Sequence, residues 1–288
     1  MAAATSIHPA MRDKPSVLRS IWIGIIWIAV VLGVALLVWV VIQSFRPTAE
    51  ILDQPFGLPS EFDVSNWVTA WTQGNFAMAT WNSVWVTLVS SVLTILVAVP
   101  AAYYLGRVET PLTRGITMYF ILGLGVPVQV ILIPLFVILN ELNLIDSLIG
   151  LNLVYIAISM PFTVFLLTAF FRTLPIEVEE AAALDGAGSI KTLILIALPL
   201  AKGGILTAFI LQVIAHWNET LLALTLMQTP TKYTLPVALI EFVSQQIYTG
   251  ADYGGTFAGI SLVVLPMLAI YVWIGGRLSE GLTVGIGK

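Results

Sequence analysis

Residues 81–105 read WNSVWVTLVSSVLTILVAVPAAYYL, an unbroken stretch with no charged side chain. At about 1.5 Å per residue such a helix exceeds the roughly 30 Å of hydrocarbon in a bilayer. Working outward, comparable runs occupy residues 21–45, 116–139, 147–171 and 253–276, and a sixth, 203–227, qualifies despite His216 and Glu219. Porin strands would instead alternate over about ten residues. The expected fold is therefore an all-α polytopic membrane protein with six transmembrane helices.

The composition agrees. Of 288 residues, 58% are hydrophobic and only 10% charged, where soluble domains carry roughly 25% charge. Net charge −4 argues against nucleic acid as a partner. There is no cysteine, and the two histidines, His8 and His216, do not make a metal cluster, so no metal site is expected. The first run is longer than a signal-peptide core of about 7–15 residues and reads as an uncleaved helix. The connections are too short for a separate soluble domain, leaving a segment 1–20, a membrane domain 21–276 and a tail 277–288.

Lys and Arg placement orients the chain. Arg12, Lys14, Arg19, Arg107, Arg114, Arg172, Lys191, Lys202, Arg277 and Lys288 fall on one side, and only Arg46 and Lys232 on the other. Alternation across six spans puts both termini in the cytoplasm. Pro100, Pro127, Pro134, Pro161 and Pro266 lie inside spans, where neighbouring helices can satisfy the freed carbonyls.

Polar residues inside spans are the candidates for function. Ser83, Thr87, Ser90 and Thr94 form one face of the second span, suited to helix packing or to an aqueous path. Gln212, His216 and Glu219 share a face of the fifth beside Trp217 and Asn218, and point to a cavity, a subunit interface or snorkelling at the outer surface. In the outer connection, Ser65 and Asn66 are candidate helix caps, and Trp67 and Trp71 fit a short helix at headgroup level.

The cytoplasmic connection 172–202 is the most specific segment. Pro175 and Glu177, Glu179 and Glu180 suit a helix start, Ala181–Ala183 and Leu184 continue it, and Gly186 and Gly188 end it. Ser189 is then placed to cap a second short helix that Pro199 ends. Its small-residue surface fits either a groove on another protein or the chain's own membrane domain.

This segment resembles the EAA signature of permease subunits of binding-protein-dependent ABC importers. Glu180-Ala181-Ala182, Gly186, Ile196, Leu198 and Pro199 all stand at the signature's spacings. Asn82-Ser83, Ala101-Ala102-Tyr103 with Arg107, Pro127, Gln129, Ile133-Pro134-Leu135, Phe170-Phe171-Arg172 and Trp217-Asn218-Glu219 are similar to the carbohydrate branch. Gly281-Leu282-Thr283 resembles the tail of the maltose-type second permease subunit.

The resemblance implies a type I importer permease in a prokaryotic cell (inner) membrane, moving a sugar by alternating access. It implies a second homologous permease subunit as heterodimer partner, two ATPase subunits carrying ATP and Mg, and an extracytoplasmic solute-binding protein. It also implies that Glu180, Ala181, Ala182, Leu184, Asp185, Gly186, Ile196, Leu198 and Pro199 form the ATPase-docking coupling loop. Gln129, Gln212, His216, Trp217, Asn218 and Glu219 are the candidates for a substrate pathway or permease interface. No catalytic residue or cofactor is expected on this chain, because the phosphate-loop pattern G-x4-G-K-[ST] is absent. Other readings are a permease for another small polar solute, a proton-coupled secondary transporter using Glu219 and His216, which should show internal repeats, and an intramembrane enzyme, which would need a clustered nucleophile and base.

Overall fold

The structure, a computed structural model, describes residues 17–283. Assignments to residues 1–16, including Arg12 and Lys14, and to residues 284–288 lie outside the described residues.

Helix α1 (Val17–Gln43) is apolar on every face from Ile21 onward, and residues 19–36 are exposed within the chain. A helix hydrophobic on every face faces lipid or another membrane subunit. Two short helices follow, α2 (Thr48–Asp53) and α3 (Ser65–Gln73), and then the long α4 (Phe76–Arg107). Helix α5 (Pro111–Leu124) bends by 103° into α6 (Val128–Glu141), and α7 (Leu148–Thr173) is again long and continuous. After the short α8 (Glu177–Leu184), α9 (Ser189–Thr192) runs through a π-helical turn at Leu193–Ala197 into α10 (Leu198–Leu200). That stretch meets α11 (Lys202–Asn218) at 77°. Helices α12 (Leu221–Leu226), α13 (Leu235–Thr249) and α14 (Tyr253–Thr283) complete the chain.

Four helices, containing residues 19–43, 76–107, 148–173 and 253–272, are each long and apolar enough to cross a membrane. The other two runs are corrected in shape. The third, 116–139, is a bent pair broken at Gly125–Pro127, where Pro127 removes an N–H and sits in extended conformation ahead of α6. Pro100, Pro134, Pro161 and Pro266 are instead carried inside their helices. The fifth, 203–227, is interrupted after Asn218: α11 ends, Glu219 turns extended and α12 starts afresh.

Apolar side chains gain little by leaving lipid for a helix interface, so close approach and hydrogen bonds decide the packing. The principal interface, α4 against α7, is built that way. Ser90 donates to Asn152 Oδ1 at 2.7 Å, Thr168 donates to the Ala102 carbonyl at 3.4 Å, and a Cβ on Gly106 would come 3.2 Å from Phe171. Ser83, Thr87, Ser90 and Thr94 are all buried, so the hydroxyl stripe packs helices. Asn82 donates to the carbonyls of Thr231 and Tyr233, and Ser83 Oγ accepts from Leu235 N, joining α4 to the start of α13.

The connection between α1 and α4 is organised around Arg46, which is fully buried just past the end of α1. Its Nη1 donates to Gln43 Oε1 at 2.7 Å and its Nη2 to the Glu50 carbonyl at 3.0 Å, with the Glu50 carboxylate 3.4 Å from Nε. Asn66 donates to the carbonyls of Ser44 and Arg46, and the Ser65 amide is held by Asp63, so neither Ser65 nor Asn66 caps α3. Trp67 stacks on Phe45 and donates to Ser44 Oγ, which makes it a packing residue; Trp71 remains exposed.

A second tie joins the α6–α7 turn to the segment before α13. Asp146 accepts from the amides of Gln228 and Thr229, from Thr229 Oγ1 at 2.6 Å and from Lys232 Nζ at 3.0 Å. Desolvation alone would raise the Asp146 pKa, but these donors outweigh it and hold the carboxyl well below the usual carboxylate range. Its contribution is therefore complete above the ordinary Asp value of about 4 and is lost as pH falls below that. Asp146→Ala should destabilise the protein in detergent by about 1–3 kcal/mol, the cost of stranding partly buried donors. The gap from wild type, measured by thermal unfolding, should stay constant from about pH 5 to 8 and narrow below about pH 4.

Candidate functional site

Two regions outside ordinary packing hold the candidate residues. The first is the knuckle formed by α8 and α9. Asp185 ends α8 and Gly186 follows with φ +78°. The Gly186 amide donates to the Ala183 carbonyl at 3.0 Å, and the Ala187 amide to the Ala182 carbonyl at 2.9 Å. That pair is a Schellman closure, which favours glycine at its left-handed position. Glu180, Ala181, Leu184, Asp185 and Gly186 are exposed, with Leu184 90% accessible and Ile190 on α9 75%.

Not every residue of the signature is presented outward. Ala182 is buried, so its side chain is corrected from a docking contact to an inward packing position. Leu198 packs against the inner core of α4 and α7, and Ile196 is half-buried, while Pro199 is exposed within a helix that continues past it. Ser189 is the first residue of α9 and gives no side-chain cap. The residues alone give Glu179 only a helix-start role and not its partners. Its carboxylate is 2.7 Å from Arg107 Nη2 and accepts from Tyr103 Oη at 2.8 Å. The only signal for that pairing was the shared cytoplasmic assignment of Arg107 and the loop.

The second region lies where α7, α11 and the break after α11 meet the start of α6. A cavity of about 220 Å³ is lined by Val128, Gln129, Tyr155, Ser159, His216 and Glu219, with Ile158, Ala215, Leu221 and Leu222. His216 is bound on both ring nitrogens, Nδ1 to Ser91 Oγ at 3.0 Å and Nε2 to Ser159 Oγ at 2.8 Å. A neutral imidazole offers one donor and one acceptor, and either hydroxyl can answer either role. The imidazole thus joins α4, α7 and α11 through one ring, which stacks on Tyr155 at 5.2 Å.

Glu219 reaches the cavity by a route that helical spacing does not give. Because α11 stops at Asn218, Glu219 leaves the helical face. Its carboxylate accepts from the Leu222 amide at 2.8 Å and the Ala223 amide at 3.1 Å, capping α12, and from Tyr155 Oη at 2.7 Å. An acid at a helix start opposes the positive end of its dipole.

Two candidates are corrected, Gln212 and Trp217. Gln212 is buried and donates to Thr163 Oγ1 at 2.8 Å, away from the cavity lining. Trp217 packs in a core with Ala70, Phe76 and Phe242, and its indole donates to the Val263 carbonyl at 3.4 Å. Asn218 is exposed and donates back to the Ile214 carbonyl. Gln129 is exposed and does line the cavity, from the first turn of α6.

The bundle thus combines two broken helical runs, a cavity with polar side chains at one break, and an exposed helical knuckle. Residues 98–284 match the model of the binding-protein-dependent transport system inner membrane component family, and the chain belongs to that family. It is thus an inner-membrane, multi-pass permease subunit of an ABC importer, not an enzyme. Importers of this family combine such subunits with a partner permease, an ATPase and a solute-binding protein.

The chain is 36% identical, over 91% of its length and 85% of the relative's, to the diacetylchitobiose uptake system permease protein NgcG of Streptomyces coelicolor. It is 32% identical, over 90% of its length and 94% of the relative's, to the trehalose transport system permease protein SugB of Mycobacterium tuberculosis. In fold it matches a chain of a bacterial ABC transporter that imports the acidic polysaccharide alginate, with TM-score 0.75 and 23% identity over 91% of this chain and 99% of that one.

The positive φ of Gly186, and not lack of space, constrains that position, since nothing lies within 4 Å of a Cβ built there. Gly186→Ala should cost about 1 kcal/mol at the knuckle. Hydrogen exchange of the Gly186 and Ala187 amides should speed up by roughly fivefold. Gly188→Ala, at φ −76° and equally open, should leave exchange unchanged.

Proposed function

We propose that this chain is one of two homologous permease subunits in a sugar importer, paired as a heterodimer on two ATPase subunits and fed by an extracytoplasmic binding protein. An oligosaccharide or glycoside is the proposed cargo, because relatives across the chain are named for diacetylchitobiose, trehalose and sulfoquinovosyl glycerol uptake. Both termini lie in the cytoplasm in this reading, following the Lys/Arg partition.

The observation that carries the mechanism is the exposed knuckle, with apolar Leu184 and small Ala181 exposed on α8 and Gly186 exposed just past its end. Those side chains, with Glu180 and Asp185, are proposed to dock in a cleft of the ATPase, which holds ATP and Mg. Closure of the ATPase dimer drives alternating access only through a difference in how the knuckle fits the open and closed dimers. Solute is proposed to pass the cavity at Gln129, Ser159, His216 and Glu219, where hydroxyl, amide and carboxylate groups suit sugar hydroxyls.

The test is uptake of labelled disaccharides by proteoliposomes holding the complete complex. Uptake should require ATP and the binding protein; uptake that follows a proton gradient with no nucleotide would establish a secondary transporter instead. Gly186→Asp and Glu180→Lys should insert normally yet lose ATPase co-purification and uptake, and normal transport by both would overturn the docking assignment. Gln129→Ala should raise the apparent KM for sugar several-fold with the ATPase still bound. Gln212→Ala should leave KM unchanged and lower stability by about 0.6–1.7 kcal/mol.

A further inference from the structure

The knuckle is attached to the membrane domain unequally at its two ends. Arg107, the last residue of α4, donates from Nε to Glu179 Oε1 at 2.8 Å and from Nη2 to the Leu174 carbonyl at 3.2 Å. Glu179 accepts from Tyr103 Oη one helical turn earlier, and both side chains of the ion pair are only 12% exposed. Tyr103 in turn meets Phe171 of α7 edge-on at 5.5 Å, and Arg172 donates to the Leu105 carbonyl. Helix α8 is thereby clamped to the cytoplasmic ends of both α4 and α7.

The other end is built differently. From α9 the backbone passes through the π-helical turn at Leu193–Ala197 and bends 77° into α11. A π-helical turn inside a helix is a recognised place for local adjustment. Ala197 and Ala201 are buried there in one apolar core with Ala102 and Leu105 of α4 and Phe171 of α7, so packing alone holds this end, and no ion pair spans the bend among the described residues.

We infer that the Arg107–Glu179 pair is a positioning strut that makes α8 a rigid extension of α4 and α7, so that displacement of the knuckle moves those two spans while the α10–α11 bend absorbs the difference. This rests on the reading that α8 docks on an ATPase. Glu179 touches neither ATP nor solute; it acts by holding α8. The neighbouring Glu180, which belongs to the family signature, points outward and takes no part in the strut.

The experiment compares sugar uptake per ATP hydrolysed in the reconstituted complex for wild type, Glu179→Gln, Glu179→Arg, Arg107→Glu and the double swap Arg107→Glu/Glu179→Arg. The single variants should keep the ATPase bound and hydrolysing, while uptake per ATP falls by roughly tenfold, inside the ~5–150-fold span of site-to-site couplings. The swap should recover most of that loss. Single variants with an unchanged ratio would overturn the strut, as would a swap that recovers nothing relative to Glu179→Arg. Loss of ATPase co-purification in Glu179→Gln would also overturn it, showing a structural role in assembly. A wild-type complex that binds no ATPase would instead refute the docking reading, which separates the two failures.

Discussion

Inside a bilayer each peptide group must find its partner within the protein, because lipid offers neither donor nor acceptor. The consequences are clearest where helices stop. After Asn218 the amides that begin α12 have no preceding turn to bond, and the Glu219 carboxylate takes two of them. Asn218 and Thr220 return their side chains to local carbonyls at the same break. At the other break, Pro127 has no amide to satisfy, and the last amides of the α5 turn bond back to Leu122 and Gly123. The cavity lies between these two breaks, so the requirement that shapes the backbone also gathers the polar side chains.

The second determinant is how helices cohere without a hydrophobic driving force between them. Here the answer is small residues and short hydroxyls along α4, which let α7 approach closely and lock its register through Ser90, Asn152 and Thr168. His216 extends this spine to α11 by bonding Ser91 and Ser159. By contrast α1 contacts chiefly α14 and presents an apolar surface. A rigid pair of spans beside looser ones suits a subunit whose spans must move relative to one another.

Several features were legible in the chain because they are local. Hydropathy located the runs, and Glu180-Ala181-Ala182 with Gly186 marked a helix closed by a left-handed glycine, which the Schellman bonds bear out. The same local reasoning failed where one rule overrode another. Hydropathy delimited the third and fifth runs without showing where they break, since nothing in it separates Pro127, which breaks a helix, from Pro100 or Pro161, which do not. Helical spacing placed Gln212, His216 and Glu219 together, yet one faces Thr163 and another leaves the helix altogether.

What the sequence determined by itself was the class of the molecule: a largely apolar helical chain with membrane-length runs and a signature loop at residues 180–199. These follow from transfer free energies and turn chemistry, which act within a few residues. Tertiary structure alone decided that Arg46 is buried under α2, that Glu179 and not Glu180 grips α4, and that Gln129 comes to face Glu219. Each of those depends on partners brought together across tens of residues by helix packing, and a side chain's charge or polarity does not name the distant group that will satisfy it.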